Sequence, residues 1–290
     1  MPKKRVIAAI LVKRGWAVQS EAFGRYLPIG RPEIAARFFS EWGADEILLL
    51  DIDASHERRT IAPELVARVA RSAYVPLTVG GGLRSVDDVR RVVQAGADKV
   101  SINLGAFEAP EQVKAAAEAF GNQCIVGAMD IRRGADGRAM VFAEGGRRET
   151  GLDAAAHAGA LAAMDVGEVL VNSIDRDGAR SGFDIDAIRS AAGAVRAPII
   201  ALGGAGHPTH LYDVLRLDEV SAAAAGNFFH YTEHAIATCK AYLHRCGLDV
   251  RMEGWADYRL FESSADGRIR KRPEDELADE IYEFIPEEII

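Results

Sequence analysis

An acidic residue closes a strongly apolar stretch of the sequence, where it could carry acid–base chemistry. Residues 125–129 are apolar or small, and Asp130 follows them directly. Such a run is typical of a parallel strand that is covered on both faces. A carboxylate at the C-terminal end of such a strand points into a barrel mouth or sheet crevice. Asp130 is therefore predicted to be an acid, a base or a ligand, and the alternative is that it caps the following loop.

Two further residues, Asp177 and Leu11, bear on the same acid–base chemistry. Asp177 and Gly178 follow the apolar segment 168–173, so Asp177 is predicted to be a second acid or base, or an anchor for its loop. Gly178 permits a turn there. The first strand, residues 5–13, aligns with the Asp130 strand and carries Leu11 at the terminal position. Leucine cannot move a proton.

Two glycine-rich turns predict binding sites for phosphate. They lie at residues 80–82 and 203–206, and glycine lets backbone N–H groups approach an anion closely. Each turn is followed, one strand later, by a polar or small turn. Two cradles on opposite sides predict a long ligand with a phosphate at each end, although tight turns alone would also explain the glycines. The predicted phosphate-binding residues are Gly82, Asn103, Gly178, Gly203, Gly204, Gly226 and Asn227.

Four charged residues stand at or near the beginnings of predicted strands, at the opposite end of the fold. They are Arg5, Glu46, Lys99 and Glu168. A charge inside a barrel must be paired or hydrated, so two cations and two anions are expected to pair as a ring. The ring would stabilise the floor of the barrel, or it would act as a gate for a small molecule entering from below.

The elements that must position these residues repeat along the chain. Residues 45–53 resemble residues 167–175, and each copy is followed by a helical segment, a proline, an apolar strand and a glycine cluster. Two equivalent halves of βα units predict a closed (β/α)₈ TIM barrel of the α/β class over residues 1–250. Residues 14–31 are expected to be a long loop, either a mobile lid or an ordered surface loop.

The predicted barrel leaves a C-terminal extension over residues 251–290. It contains the aromatic residues Trp255 and Tyr258, and Leu277, Ile281 and Ile285 recur at helical spacing. The extension is predicted to be a docking segment for a partner, with packing on its own barrel as the alternative.

Composition narrows the classes of function. The 290 residues carry a net charge of −8 with no basic stripe, which argues against nucleic-acid binding. No apolar run is long enough for a membrane span, and no signal peptide is evident. The cysteines Cys124, Cys239 and Cys246 lack metal-site spacing. We therefore expect a cytoplasmic protein without a metal or cofactor.

Several stretches together resemble the HisF family, the cyclase subunit of imidazole glycerol phosphate synthase. They are residues 4–8, 78–82, 96–103, 173–178 and 203–206, and the similarity covers about residues 3–253. The resemblance implies a barrel that docks a HisH-type glutaminase on its lower face, where Asp98 would contact the partner. Ammonia would pass the four-residue gate and react above with a bis-phosphorylated ribulosyl substrate, giving imidazole glycerol phosphate for histidine biosynthesis, a lyase activity.

The resemblance is incomplete at the mouth. It implies an Asp where this chain has Leu11, a hydroxyl residue where it has Leu104, and a lysine where it has Gln19. Asp130 keeps one of the two catalytic acids. The chain is similar to a HisF-like subgroup associated with sugar amidation in polysaccharide biosynthesis, which serves a separate amidotransferase. We expect an ammonia-conducting subunit with little cyclase activity. The alternatives are a working cyclase and a non-catalytic scaffold.

Overall fold

A closed parallel barrel forms the centre of the protein. The computed structural model describes residues 3–270 except residues 233, 253 and 255. Within these residues, eight parallel strands join into a ring in the order β1-β4-β5-β6-β7-β10-β11-β12, and β12 pairs with β1. The predicted TIM barrel is thereby confirmed. Its strands are β1 (Arg5–Lys13), β4 (Glu46–Asp51), β5 (Leu77–Gly80), β6 (Lys99–Ile102), β7 (Ile125–Arg133), β10 (Glu168–Ser173), β11 (Ile199–Leu202) and β12 (Val220–Ala225).

Helices alternate with the strands and surround the barrel. Several begin at a proline, whose missing N–H costs nothing in the first turn of a helix. The capping box of α3 is explicit: the Ser85 hydroxyl accepts from the Asp88 N–H, and the Asp88 carboxylate accepts from the Ser85 N–H. The helices are α1 (Pro32–Glu41), α2 (Pro63–Ala70), α3 (Val86–Gln94), α4 (Leu104–Glu108), α5 (Pro110–Phe120), α6 (Ala154–Ala163), α7 (Ile185–Ala192), α8 (Pro208–Leu215), α9 (Asn227–His230) and α10 (Ala235–Arg245).

Two antiparallel hairpins extend the barrel sheet at its upper end. Strands β2 (Trp16–Glu21) and β3 (Arg25–Gly30) continue from β1, and β8 (Ala139–Ala143) and β9 (Arg148–Asp153) continue from β7. The expectation of a long loop at residues 14–31 is therefore wrong. The hydrogen-bond ladder does not stop at the mouth, because β1 runs on past it and pairs Leu11 with Val18.

The buried side chains form two layers, as the alternation of side chains along a strand requires. The larger layer lies between the barrel and its helices and includes Phe39, Ile47 and Met129. The smaller layer fills the barrel interior with residues from alternate positions: Ile7, Ala9, Leu48, Val126, Ala128, Leu170, Ile200, Leu202, Ala222 and Ala224. The inward positions therefore form a short apolar section between a charged lower end and a polar upper end.

The chain after α10 runs back along the outside of the barrel. Val250 bridges to Lys4 beside β1, and the Tyr258 hydroxyl lies 2.6 Å from His234 Nδ1. A side chain at Gly267 would collide with Pro208 and Tyr242, so the backbone packs closely against α8 and α10. Trp255 and the predicted stripe of Leu277, Ile281 and Ile285 lie outside the described residues. In the described part of the chain, no helix is long and apolar enough to cross a membrane.

Candidate functional site at the barrel mouth

The upper end of the barrel holds a cavity of about 180 Å³. Its walls are the ends of the barrel strands, the turns that follow them, and the two hairpins. Every residue predicted to act at the mouth lines this one cavity, with the two acids and both glycine-rich turns included. The predicted residues along the wall are Gly82, Asn103, Asp130, Asp177, Gly178, Gly203, Gly204, Gly226 and Asn227.

Asp130 is held by two side-chain amides. Asn172 Nδ2 donates to one carboxylate oxygen and Asn103 Nδ2 to the other, each at 2.9 Å. Burial raises the pKa of Asp130 to about 6; the Asn172 amide opposes the rise, Asp177 adds to it, and the Asn103 amide opposes it again. A carboxyl group with such a pKa exchanges its proton near neutral pH, which suits general acid–base chemistry.

Asp177 faces the same cavity from the loop after β10, and its carboxylate is held by the first hairpin. Ser20 donates its hydroxyl to Asp177 Oδ2 at 2.5 Å, and the Phe23 N–H donates to the same oxygen at 3.3 Å. The Ala22 N–H donates to the Asp177 carbonyl at 3.0 Å. Burial raises the pKa of Asp177, while the Ser20 and Phe23 donors oppose the rise.

The wall at the end of β1 is apolar. Leu11 lies in register with Leu50 on β4, and both side chains line the cavity. Asp130 lies in register with Asn172 at the equivalent point of β7 and β10. One pair of neighbouring strands thus ends in two leucines, and the matching pair ends in a carboxylate and an amide.

Both glycine-rich turns present free backbone donors. Within the described chain, the N–H groups of residues 81–83 and 203–205 have no protein acceptor. Gly82 has a φ of +66°, and a Cβ there would lie 1.9 Å from the Arg59 carbonyl oxygen. Gly204 has a φ of +109° and is similarly crowded by the Gly182 carbonyl. Only glycine fits at these two positions, and the turns have the shape of anion-binding nests.

The second cradle differs from the first because the β2–β3 hairpin forms hydrogen bonds with Asn227, which follows β12. Asn227 Nδ2 donates to the Ser20 carbonyl at 2.7 Å, and Asn227 Oδ1 accepts from the Ser20 N–H at 3.2 Å. Both ends of the Asn227 amide are therefore used by the hairpin backbone. The position equivalent to Asn227 in the first half is Leu104, which has no such group.

The lower end of the barrel is closed by a ring of ion pairs. Arg5 pairs with Glu46 at 2.8 Å and with Glu168, and Lys99 pairs with Glu46 at 3.0 Å and with Glu168 at 2.7 Å. Thr78 donates its hydroxyl to Glu46 at 2.5 Å. Every charge in the ring therefore contacts two opposite charges, and the ring carries no net charge.

The surroundings fix the protonation of the ring. Burial alone would raise the pKa of Glu168, but Arg5 and Lys99 outweigh it and hold that pKa below its usual range. The pKa of Arg5 is raised, because the attraction of Glu168 and Glu46 outweighs the effect of burial. Glu168 and Arg5 are therefore expected to remain charged at neutral pH.

The comparisons with known proteins agree on a family. A family model described as "Histidine biosynthesis protein" matches residues 5–235. Imidazole glycerol phosphate synthase subunit HisF from Alkaliphilus metalliredigens is 42% identical over 251 residues, which cover 87% of this chain and 100% of the relative. The chain belongs to the HisF family.

The present chain is longer than the part of it that aligns with this HisF relative. The relative aligns over its whole length within 87% of this chain, and the family model ends at residue 235. The family match therefore accounts for the barrel but not for the outer segment of residues 251–270 or the residues beyond it. The predicted contact residue Asp98 lies exposed at the lower end, where its carboxylate accepts from the Leu77 N–H at 2.8 Å.

Two contributors to the site are absent from the sequence analysis. Asn172 lies within the segment 168–173, which was predicted only as a strand. Aligning residues 167–175 with residues 45–53 makes Asn172 the equivalent of Leu50. Ser20 lay in the expected loop, and no local signal pairs it with Asp177 or Asn227. Within the described residues, no group of three or more His, Cys, Asp or Glu side chains could hold a metal ion.

Proposed function

We propose that this HisF-family chain is the ammonia-conducting subunit of a glutamine-dependent amidotransferase and has little cyclase activity of its own. A HisH-type glutaminase would bind the lower face around Asp98. Ammonia would pass the ring of Arg5, Glu46, Lys99 and Glu168 and emerge beside Asp130. The observation that carries the proposal is the contrast between an intact ion-pair ring at the floor and a mouth that keeps a carboxylate on β7 but has Leu11 on β1.

The interior between these two ends supports passage of a small neutral molecule. Above the ring, the inward residues are aliphatic, and β12 contributes only Ala222 and Ala224. Such a section offers ammonium no counter-charge, so a charged ion is disfavoured there relative to neutral ammonia.

The mouth supports acid–base chemistry at one point. Asp130 has a pKa near neutrality, whereas Leu11 offers no proton at the matching position. Cyclisation needs proton transfers at more than one place, and each acid–base group contributes roughly 10²–10⁴-fold in rate. We infer that ammonia leaves this site for another acceptor, such as a nucleotide sugar bound by a separate amidotransferase.

The glycine-rich turns support a phosphorylated ligand at the mouth. Gly82 and Asn103 would serve the first cradle, and Gly178, Gly203, Gly204, Gly226 and Asn227 the second. Each cradle has one asparagine at its edge, Asn103 in the first and Asn227 in the second, and the Asn227 amide is used by the Ser20 backbone.

The decisive experiment measures cyclase activity directly. The purified chain is incubated with ammonium salt and the bis-phosphorylated ribulosyl substrate of the HisF family. We expect a rate at least about 10²-fold below that of a HisF with both acids. Leu11→Asp should raise the rate, and Leu50→Asp, which places the carboxylate one strand away, should not. A wild-type rate equal to that of the reference HisF would refute the proposal.

A binding experiment tests the partner separately. We expect the chain to form a complex with a HisH-type glutaminase, measured by titration calorimetry. Asp98→Asn should weaken the complex, whereas Asp136→Asn, an exposed acid at the upper end, should leave it unchanged. Absence of binding would instead favour a barrel that acts without a glutaminase.

One observation favours the second candidate function, the cyclase reaction of histidine biosynthesis. Asp130 and Asp177 line one cavity, and the charge of Asp177 contributes to the raised pKa of Asp130. Two acids that face one cavity could divide the roles of acid and base without a carboxylate at Leu11. In that case Asp177→Asn should abolish a normal ammonium-dependent rate in the experiment above.

A further inference from the structure

A second cavity lies outside the barrel, behind the second glycine-rich turn. Its volume is about 530 Å³, within the range of about 300–1,000 Å³ that is usual for small-molecule sites. Its inner wall is formed by the turns after β10, β11 and β12 together with the start of α10, and its outer wall by the segment of residues 258–269. The side chains that matter are Arg180, Phe228, Tyr231, Thr238, Tyr258 and Arg268.

The lining combines aromatic rings with positive charge. The Arg180 guanidinium lies 5.1 Å from the centroid of the Tyr231 ring and has no carboxylate partner in the described part of the chain. Arg268 contributes a second guanidinium and pairs with Asp266 at 3.3 Å, outside the lining. Among the described lining residues, none is acidic. The cavity therefore favours an anion, and its rings favour a flat apolar group.

The backbone that carries Arg180 and the outer wall of the cavity are both held by close packing or hydrogen bonds. Arg180 adopts a left-handed backbone conformation with φ of +56°, which is unfavourable for a residue with a Cβ. Gly206 allows this approach, because a Cβ on it would lie 2.5 Å from the Arg180 Cβ. The Tyr258 hydroxyl contacts His234, which precedes α10, and Arg245 at the end of α10 contacts Ser263, so the outer wall is attached at two points.

The outer wall lies beyond the part of the chain that the family model covers. Tyr258 and Arg268 lie beyond residue 235, where the family match ends, and the HisF relative is fully aligned over 251 residues. The segment forms the outer wall of the cavity, in which Tyr231 remains 55% exposed.

We propose that this outer cavity binds a nucleotide. The phosphate would lie against the guanidinium groups of Arg180 and Arg268, since guanidinium groups bind phosphate oxygens in a bidentate manner. The base would stack on the rings of Tyr231 and Tyr258. A free phosphate would leave most of the volume empty. The assignment does not depend on the proposed ammonia route, because no residue of the barrel mouth apart from Phe228 lines both cavities.

The test is titration calorimetry of the full chain with uridine 5′-diphosphate and with adenosine 5′-diphosphate. We expect at least one of them to bind saturably with one site per chain. Arg180→Gln and Arg268→Gln should each weaken that binding about 10-fold or more. The matched control Arg138→Gln, in the exposed turn before β8, should leave it unchanged. Far-ultraviolet circular dichroism would verify that the variants are folded.

Three results would overturn the proposal. The first is the absence of saturable binding of either nucleotide up to millimolar concentration. The second is inorganic phosphate binding as tightly as the nucleotides, which would make the cavity an anion site only. The third is binding that Asn103→Ala abolishes and Arg180→Gln does not, which would place the nucleotide in the barrel mouth. None of these results depends on whether the chain conducts ammonia.

Discussion

The two halves of the barrel share a carboxylate at the floor and differ at the mouth. Glu46 stands in register with Ile7 on β1, and Glu168 with Val126 on β7, so the two carboxylates of the ring occupy equivalent positions. Four residues further along the same strands, Leu11 faces Leu50 in one half and Asp130 faces Asn172 in the other. The repeat therefore preserves one carboxylate of the floor in each half, whereas the mouth has diverged, and both cations of the ring, Arg5 and Lys99, lie in the first half.

The largest effect is expected at the shared floor. Glu168→Ala leaves Arg5 and Lys99 facing a single carboxylate, and we expect a loss of about 2–3 kcal/mol in the free energy of unfolding. Urea denaturation measures this loss. Combining Glu168→Gln with Lys99→Met removes one charge of each sign and should recover part of it. If the double variant is as unstable as the sum of the single variants, the ring is not a coupled unit.

Placing a carboxylate at the mouth end of β1, as at the mouth end of β7, should destabilise the protein by an amount that depends on pH. Leu11→Asp introduces a carboxylate against Leu50 without an amide donor, so its pKa should be raised and the protein destabilised by about 2 kcal/mol at pH 8. Because protonation removes the charge, the loss should shrink as the pH falls below that raised pKa. Leu11→Asn is the uncharged control, and its effect should not vary with pH in thermal denaturation.

Removing the acid at the mouth end of β7 should stabilise the protein. The pKa of Asp130 is about 6 in the folded chain and about 3.9 in an unfolded one. The group's stabilising contribution is therefore present below about pH 4 and is lost as the pH rises through 6. We expect Asp130→Asn to stabilise the protein by about 1–2 kcal/mol at pH 8 and much less at pH 4. The free Asn103 Oδ1 can accept from the new amide.

A smaller change should follow when Asn172 is replaced by the residue of the other half. Asn172→Leu removes one of the two donors to the Asp130 carboxylate, which favours the protonated form. We expect the pKa of Asp130 to rise by roughly one unit, measured by carbon-detected NMR titration. Leu50→Asn, the reciprocal change, should leave that pKa where it is. Equal shifts in both variants would mean that the effect is not local.

The smallest expected effect is a change in hydrogen exchange in one hairpin and not in the other. Asn227→Ala removes both contacts to the Ser20 backbone, so hydrogen exchange in β2 should become roughly 3–10-fold faster. The β8–β9 hairpin makes no contact with Asn227 among the described residues, and its exchange rates should not change. Unchanged exchange in β2 would show that Ser20 is held mainly by Asp177.

The repeat made the barrel predictable, because uninterrupted apolar strands and glycine turns recur at matching spacing in both halves. The hairpins were not predictable in the same way. Residues 14–31 contain three glycines and a proline, which obscure the alternation of strands β2 and β3. Pairing of β2 with β1 depends on a tight turn at Arg14 and Gly15, and such turns carry little periodicity.

The site was predictable where a residue ends a strand and not where a contact joins distant segments. Asp130, Asp177 and the glycine turns follow their strands directly, and the fold brings them to one cavity. The charges of the floor were visible because they interrupt apolar strands at the same depth. The contacts of Ser20 with Asp177 and Asn227 join residues more than 150 positions apart, and only the folded chain reveals them.

The contact between Ser20 and Asn227 has a kinetic consequence for ligand binding. The hairpin that this contact holds in place contributes Ser20, Phe23 and Tyr26 to the wall of the mouth cavity, so a ligand that needs the hairpin to open before it can span both glycine-rich turns would bind only to the open form. Its observed association rate should then level off at high concentration, at the rate of that opening. Its apparent affinity is lowered by the fraction of molecules that are closed at any moment.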